Sequence, residues 1–269
     1  MEIRFGTVIL KSKNYNIMKL LTNSFFQSFH LVLIVVSGFA FQNNSPQPVF
    51  AKKNMVLIFS KTNGYRHESI ETGIAAIKKL GASNNFDVDA TEDSTYLNDA
   101  NLKKYDAIIF LSTTGTVLGK DQEVALQNYI HKGGGFVGIH AATDCEYEWP
   151  WYVKMVGASF LSHPQQQEAK LIVVDNTHAA TKHLQTTWTR KDEWYNFKNM
   201  NPDVKVLIKI DETSYTGGKN GDNHPMAWYH SYEGGKAFYT ELGHTNESYS
   251  DPLYLQHILG GINYSMGVK

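Results

Sequence analysis

Cysteine is almost absent: Cys145 is the only one in 269 residues. That excludes an intrachain disulfide and any zinc site built on thiolates. Excess charge is missing too, with 25 Lys and Arg against 26 Asp and Glu and a net charge of −1. No stripe of basic residues stands out to track a phosphate backbone, which argues against nucleic acid as a partner and for a small, uncharged ligand. Nor does any apolar run reach the roughly 20 residues of a membrane-crossing helix. What is plentiful is core material and imidazole. Hydrophobic residues make up 42% and aromatics 13%, ample for one α/β domain, and most of the 11 histidines lie in loops after apolar runs.

The longest apolar stretch, His30 to Phe41, has the length of a signal-peptide core. It comes after Lys19 and includes or precedes small residues at Ser37, Gly38, Ala40 and Ala51 that suit cleavage. Residues 1–51 are therefore read as a signal peptide with an upstream extension, Met18 being the more natural start. The expectation is export to the periplasm or medium, with no stable membrane insertion after processing. Residues 52–269 form the folded domain.

In that domain apolar runs alternate with helical patterns. Met55–Ser60, Asp106–Leu111 and Phe136–Ile139 are continuous apolar segments, as in strands buried on both faces, and Phe86–Ala90 is a shorter strand. Ser69–Leu80 repeats Ile70, Ile74, Ile77 and Leu80 at helical spacing, with Gly81 expected to stop it. Asp121–Lys132 is a second helix, offering Val124, Leu126, Tyr129 and Ile130 to the core, before Gly133-Gly134-Gly135. This order predicts right-handed βαβ units around a parallel sheet, whose ligands bind beyond the carboxyl ends of the strands. The second half is less regular. Leu171–Val174 and Val204–Ile210 read as strands, Met226–His230 and Lys236–Thr240 as a hairpin around Glu233-Gly234-Gly235, and Pro252–Met266 as a closing helix capped by Asp251.

The residues after the strands carry the chemistry. Gly64-Tyr65-Arg66-His67 sets a cation and an imidazole near a helix start, which suits an anionic or hydroxyl-rich ligand. His140-Ala141-Ala142-Thr143-Asp144 resembles a nucleophile elbow with histidine at its tip, so acid–base chemistry or metal ligation is expected instead of acyl transfer. His163 comes next, at Ser162-His163-Pro164. Asp192 and Glu193 precede Trp194 and Tyr195, so carboxylates could accept sugar hydroxyls while a ring stacks on the pyranose. His224 opens the hairpin beside Trp228, His244 lies just past its end, and the two can sit side by side. His230, near the turn, reads as structural.

Taken in order, Gly64–His67, Gly133–Asp144, His163-Pro164, Asp192–Tyr195, Pro225–Trp228 and Tyr239–His244 resemble the ThuA-like (trehalose-utilisation) family. The resemblance implies a flavodoxin-like or class I glutamine-amidotransferase-like fold, here with an added C-terminal hairpin, and a role in using trehalose or related disaccharides. It does not imply amidotransferase activity, which needs cysteine where His140 stands; Cys145 lies outside the elbow.

Three readings stay open. The first is acid–base chemistry on a disaccharide or keto-sugar by His67, His140, Asp144 and Glu193, with Tyr65, Arg66, His163, Asp192, Trp194, Trp228 and His244 binding substrate. The second is a metal-dependent hydrolase in which His67, His140, His163 and His244 hold Zn²⁺ or a similar divalent ion. The third is a non-catalytic sugar-binding protein. Self-association into a homo-oligomer is left open as well.

Overall fold

The computed structural model describes residues 53–268, so the expected signal segment at residues 1–51 lies outside the described residues. In chain order the elements are β1 (Asn54–Phe59), α1 (Ile70–Ser83), β2 (Phe86–Thr91), α2 (Asp99–Leu102), β3 (Ala107–Leu111), α3 (Lys120–His131) and β4 (Gly135–Ile139). Next come α4 (Pro150–Val156), β5 (Ser159–Ser162), β6 (Gln167–Val173), β7 (Thr187–Asp192), β8 (Asn196–Lys198), β9 (Lys205–Ile210), β10 (Pro225–Tyr232), β11 (Gly235–Thr240) and α5 (Pro252–Met266). Nine strands form one sheet in the order β2-β1-β3-β4-β11-β10-β9-β6-β7, and β5 pairs with β8 apart from it.

The sheet has a parallel half and an antiparallel half. Every residue of β3 and β4 is buried, as are the last four of β1, because helices cover both faces. Parallel pairing aligns Phe59 with Phe110, Leu111 with Ile139 and Ile139 with Thr240, so these strands end at nearly one level. That common end is where the parallel-sheet rule places a ligand.

Two details correct the sequence reading of this half. Gly81 does not stop α1, which runs to Ser83. A side chain there would put its Cβ 2.7 Å from the Phe86 carbonyl oxygen, so glycine lets the helix lie against β2. Val124 faces solvent at 54% exposure, whereas Leu126, Tyr129 and Ile130 are buried as expected.

The hairpin is less an appendage than expected, since β11 pairs in parallel with β4 and so belongs to the central sheet. Glu233 and Gly234 both have positive φ, 44° and 101°, which gives the two-residue turn the twist that hairpins favour. Strands β5, β7 and β8 escaped the sequence reading. β7 reads Thr-Trp-Thr-Arg-Lys-Asp, with one apolar residue in six and therefore no visible period. Among the described residues no helix is long and apolar enough to cross a membrane.

Helix α5 starts as read, with Asp251 accepting from the Leu253 amide at 2.9 Å and Pro252 in the first turn. It buries His257, whose Nδ1–H donates to Ala180 O at 2.8 Å and whose Nε2 accepts from Thr240 Oγ1 at 3.0 Å. Burial pushes its pKa down from 6.5 to about 3. The folded state therefore binds fewer protons than the unfolded chain below pH 6.5, and stability falls as pH drops through that window. One such group contributes a slope of up to about 1.4 kcal/mol per pH unit. We expect His257→Gln to flatten the acid limb by close to one proton in denaturant titrations between about pH 6.5 and pH 5. Superimposable limbs for variant and parent would contradict this.

Candidate functional site

Residues just past β1, β4 and β11 meet beyond the carboxyl ends of those strands. His67 lies in the loop entering α1, which is pinned to the loop after β3 by Asn63 N to Thr114 O at 2.8 Å. His140 comes directly after β4 and has φ of 51°, a left-handed conformation also taken by Ser112 after β3. Small neighbours make this sharp turn feasible: a Cβ on Gly138 would lie 2.9 Å from the Tyr239 ring and 3.2 Å from Ala142. The Tyr239 hydroxyl donates to the His140 carbonyl at 2.7 Å and holds the turn. This is the elbow read from the sequence, but its tip points inward, because His140 is fully buried.

Three imidazoles and a carboxylate converge there. His140 Nε2 lies 3.1 Å from His67 Nε2 and 3.0 Å from His244 Nδ1. Glu193 Oε2 lies 3.1 Å from His244 Nδ1 and 3.6 Å from His140 Nε2. All four ligand atoms fall within 4.8 Å of one another. Ligands about 2.05 Å from a tetrahedral zinc ion are separated by about 3.3 Å, so these spacings match the edges of such a polyhedron.

Proton counting points the same way. His140 Nδ1 is 2.8 Å from the Glu241 carbonyl oxygen and must donate to it, so Nε2 holds a single lone pair. That lone pair cannot accept from His67 and His244 at once, and without a cation one of the two contacts is repulsive. The carbonyl bond fixes the His140 tautomer in the manner of a metal ligand. His67 Nδ1, by contrast, is buried without a hydrogen-bond partner among the described residues.

The electrostatics separate the carboxyls. Burial, then the His140 and His244 imidazoles, push the His67 pKa down to about 2, so it is neutral and its lone pair is available. Burial pushes Glu193 up, but His140 and His244 outweigh it and hold the carboxyl well below its usual range. Glu193 Oε1 also lies 3.1 Å from His163 Nδ1. Burial raises Asp144 above the ordinary carboxyl range, and the Tyr147 hydroxyl, which donates to it, only partly offsets that. A low and a raised carboxyl facing one cleft is the pattern of a base beside an acid. The cleft, about 350 Å³, is lined by Tyr65, His67, Asp144, His163, Glu193 and His244 among others.

Other expectations are corrected by burial. Trp194 and Trp228 are wholly inaccessible and present no face to a sugar. The Trp194 Nε1–H donates to Gln167 O at 2.9 Å; that of Trp228 donates to Val156 O at 2.8 Å, and its ring stacks on Tyr239 at 4.3 Å. Asp192 is also inaccessible and does not bind substrate. It accepts from the Gly243 and His244 amides at 3.2 Å and from Ser248 Oγ and Arg190 Nη2 at 3.1 Å, and so fixes the loop that carries His244. Arg66 is occupied by Glu71 at 3.0 Å and Glu92 at 2.8 Å. His163 reaches the cluster only through Glu193, and His224 bonds Glu212 at 2.7 Å instead of meeting His244. His230 is buried against the Met155 carbonyl at 2.8 Å. Cys145 is buried, which pushes its thiol up and leaves it inert.

Sequence reasoning missed Glu241 and Tyr195 as supports. Glu241 is fully buried, accepts the Tyr195 amide at 3.0 Å, and is pushed well above its usual range by burial and then by Asp192. The Tyr195 ring lies 4.5 Å from that of His140. The one sequence signal was the position of Glu241, directly after an apolar strand, as His140 is.

A family model described as ThuA, trehalose utilisation, matches residues 55–265. Among solved structures, a ThuA-like protein of Bacteroides uniformis superposes with a TM-score of 0.68 at 26% identity, covering 80% of this chain and 93% of its own. A ThuA-like protein of Parabacteroides merdae gives 0.69 at 21% identity, covering 81% and 91%. The β-galactosidase of Bacillus circulans shares the fold over 81% of this chain and 31% of its own, with a TM-score of 0.53 at 12% identity. No curated protein matches the chain.

Proposed function

The chain belongs to the ThuA family, and from that premise we propose that it is a metal-dependent enzyme performing acid–base chemistry on a neutral sugar or keto-sugar. One observation carries the reading: His67, His140 and His244 turn three ring nitrogens toward one point, at separations that hydrogen bonds alone cannot satisfy. Three imidazoles with a carboxylate at the fourth corner suit zinc or a similar divalent ion, which when bound polarises a substrate oxygen or water.

The residues around it have distinct tasks. Glu193, kept ionised and steadied by His163, accepts a proton from water or from a carbon beside a ketone. Asp144, raised in pKa, favours the protonated form that donates to a leaving oxygen. Asp192 and Arg190 hold the His244 loop, and the Glu241 carbonyl orients His140. The exposed ring of Tyr65, rather than a tryptophan, is the surface on which a sugar can stack. A non-catalytic binding role has no need for carboxyls driven apart in pKa.

Chelation tests the reading. Turnover of trehalose or its 3-keto derivative should fall at least about a hundredfold after metal removal and return with added zinc. Full activity in the chelated, metal-free protein would contradict it.

A further inference from the structure

A second compartment adjoins the catalytic one. It measures about 360 Å³ and shares Tyr65, Gln166 and His244 with the 350 Å³ cleft that holds the cluster. Each volume sits at the small end of ligand pockets, about 300 Å³ and upward, so each suits one ring better than two. Apart from Tyr65 its lining is wholly polar, including Glu68, Asn246 and Glu247. The side chains of Glu68, Gln166 and Glu247 make no hydrogen bond among the described residues, although each is exposed at the rim. Asn246 uses its carbonyl on Thr72 at 2.5 Å and keeps its amide hydrogens.

Tyr65 stands between the compartments. Its backbone is anchored by Thr114 Oγ1 to Tyr65 O at 2.9 Å, while its ring is 63% exposed and touches His67 only edge-on at 4.9 Å. A rigid backbone beneath a free ring makes a platform that two adjacent sugar rings can share.

We propose that this outer compartment is a second sugar subsite, so that the enzyme takes a neutral two-ring glycoside and holds the non-reacting ring through Glu68, Gln166, Asn246 and Glu247. The inference rests on the sugar-acting reading above and deepens it. Carboxylates and amides without a free cation accept and donate to hydroxyls, and the same set repels phosphate and carboxylate groups. Binding energy from the second ring then orients the first at the reacting centre.

Calorimetric titration of the zinc-loaded protein with glucose, trehalose and trehalose 6-phosphate tests this. Trehalose should bind at least about tenfold more tightly than glucose, since several hydrogen bonds to the second ring are at stake. Glu68→Ala combined with Glu247→Ala should bring trehalose close to glucose and leave glucose where it was. Tyr65→Ala, at the shared platform, should weaken both. Equal affinities in the parent protein, no response to the double substitution, tighter binding of the phosphate, or no binding by either sugar would each overturn the second subsite. Zinc content measured on the same samples separates the two claims. Bound zinc without a preference for trehalose removes only the subsite, and a preference without zinc removes only the metal.

Discussion

Glu193→Gln is expected to lower turnover by about 10²–10⁴-fold, the usual contribution of a positioned base, while zinc stays bound. The substitution keeps the shape and leaves an oxygen for His244 and His163 to meet, but it removes the charge that the neighbouring imidazoles favour. Three imidazoles remain to hold the ion, so metal content measured on the purified variant should match the parent. Loss should fall on kcat, because the interaction matters where a proton is transferred and not where the sugar is recognised. A variant within about threefold of the parent would show that Glu193 is not the base.

The second large effect concerns His140. Alanine is a poor probe there, because φ of 51° favours glycine, asparagine or aspartate, and strain of about 1–2 kcal/mol would confuse the result. His140→Asn respects the turn and removes the central ring nitrogen, which lies 3.0 Å and 3.1 Å from its two neighbours. In the parent protein, zinc at about a thousand times its dissociation constant should add about 4 kcal/mol of stability. For a domain of this size that is a rise in Tm of about 10 °C. The variant should fold, with a somewhat lower Tm from lost contact with Tyr195, and show almost no rise with zinc. An undiminished zinc-induced rise in His140→Asn would place the ion elsewhere.

The first half of the fold was legible because both faces of β1, β3 and β4 are covered. Their sequences are therefore unbroken apolar runs, and the glycines of Gly133-Gly134-Gly135 mark the stop before β4. β7 was not legible: with Trp188 as its one apolar residue, it is held by pairing with β6. The loop histidines were legible for a related reason. Parallel strands deliver the loops at their carboxyl ends to one edge of the sheet, so His67, His140 and His244 could be expected together before their distances were known.

Roles within the site were harder to read. Asp192 and Glu193 are adjacent in sequence and look alike, yet one is turned inward onto the Gly243 and His244 amides and the other faces the cleft. Trp194 and Trp228 illustrate the same limit. A tryptophan beside a catalytic residue can serve the ligand or the core, and burial of both rings assigns them to the core. Arg66 is drawn off by Glu92, a partner 26 residues away that no local pattern links to it.

The central claim is that His67, His140 and His244 hold one divalent ion at a common point. Anomalous diffraction at the zinc edge, on crystals of the zinc-loaded protein, tests it most directly. The account predicts one peak about 2.0–2.1 Å from His67 Nε2, His140 Nε2 and His244 Nδ1, with Glu193 at or beside the fourth position. A cluster with no peak, its imidazoles still in contact at the metal-free spacing while zinc is bound elsewhere or not at all, would contradict it.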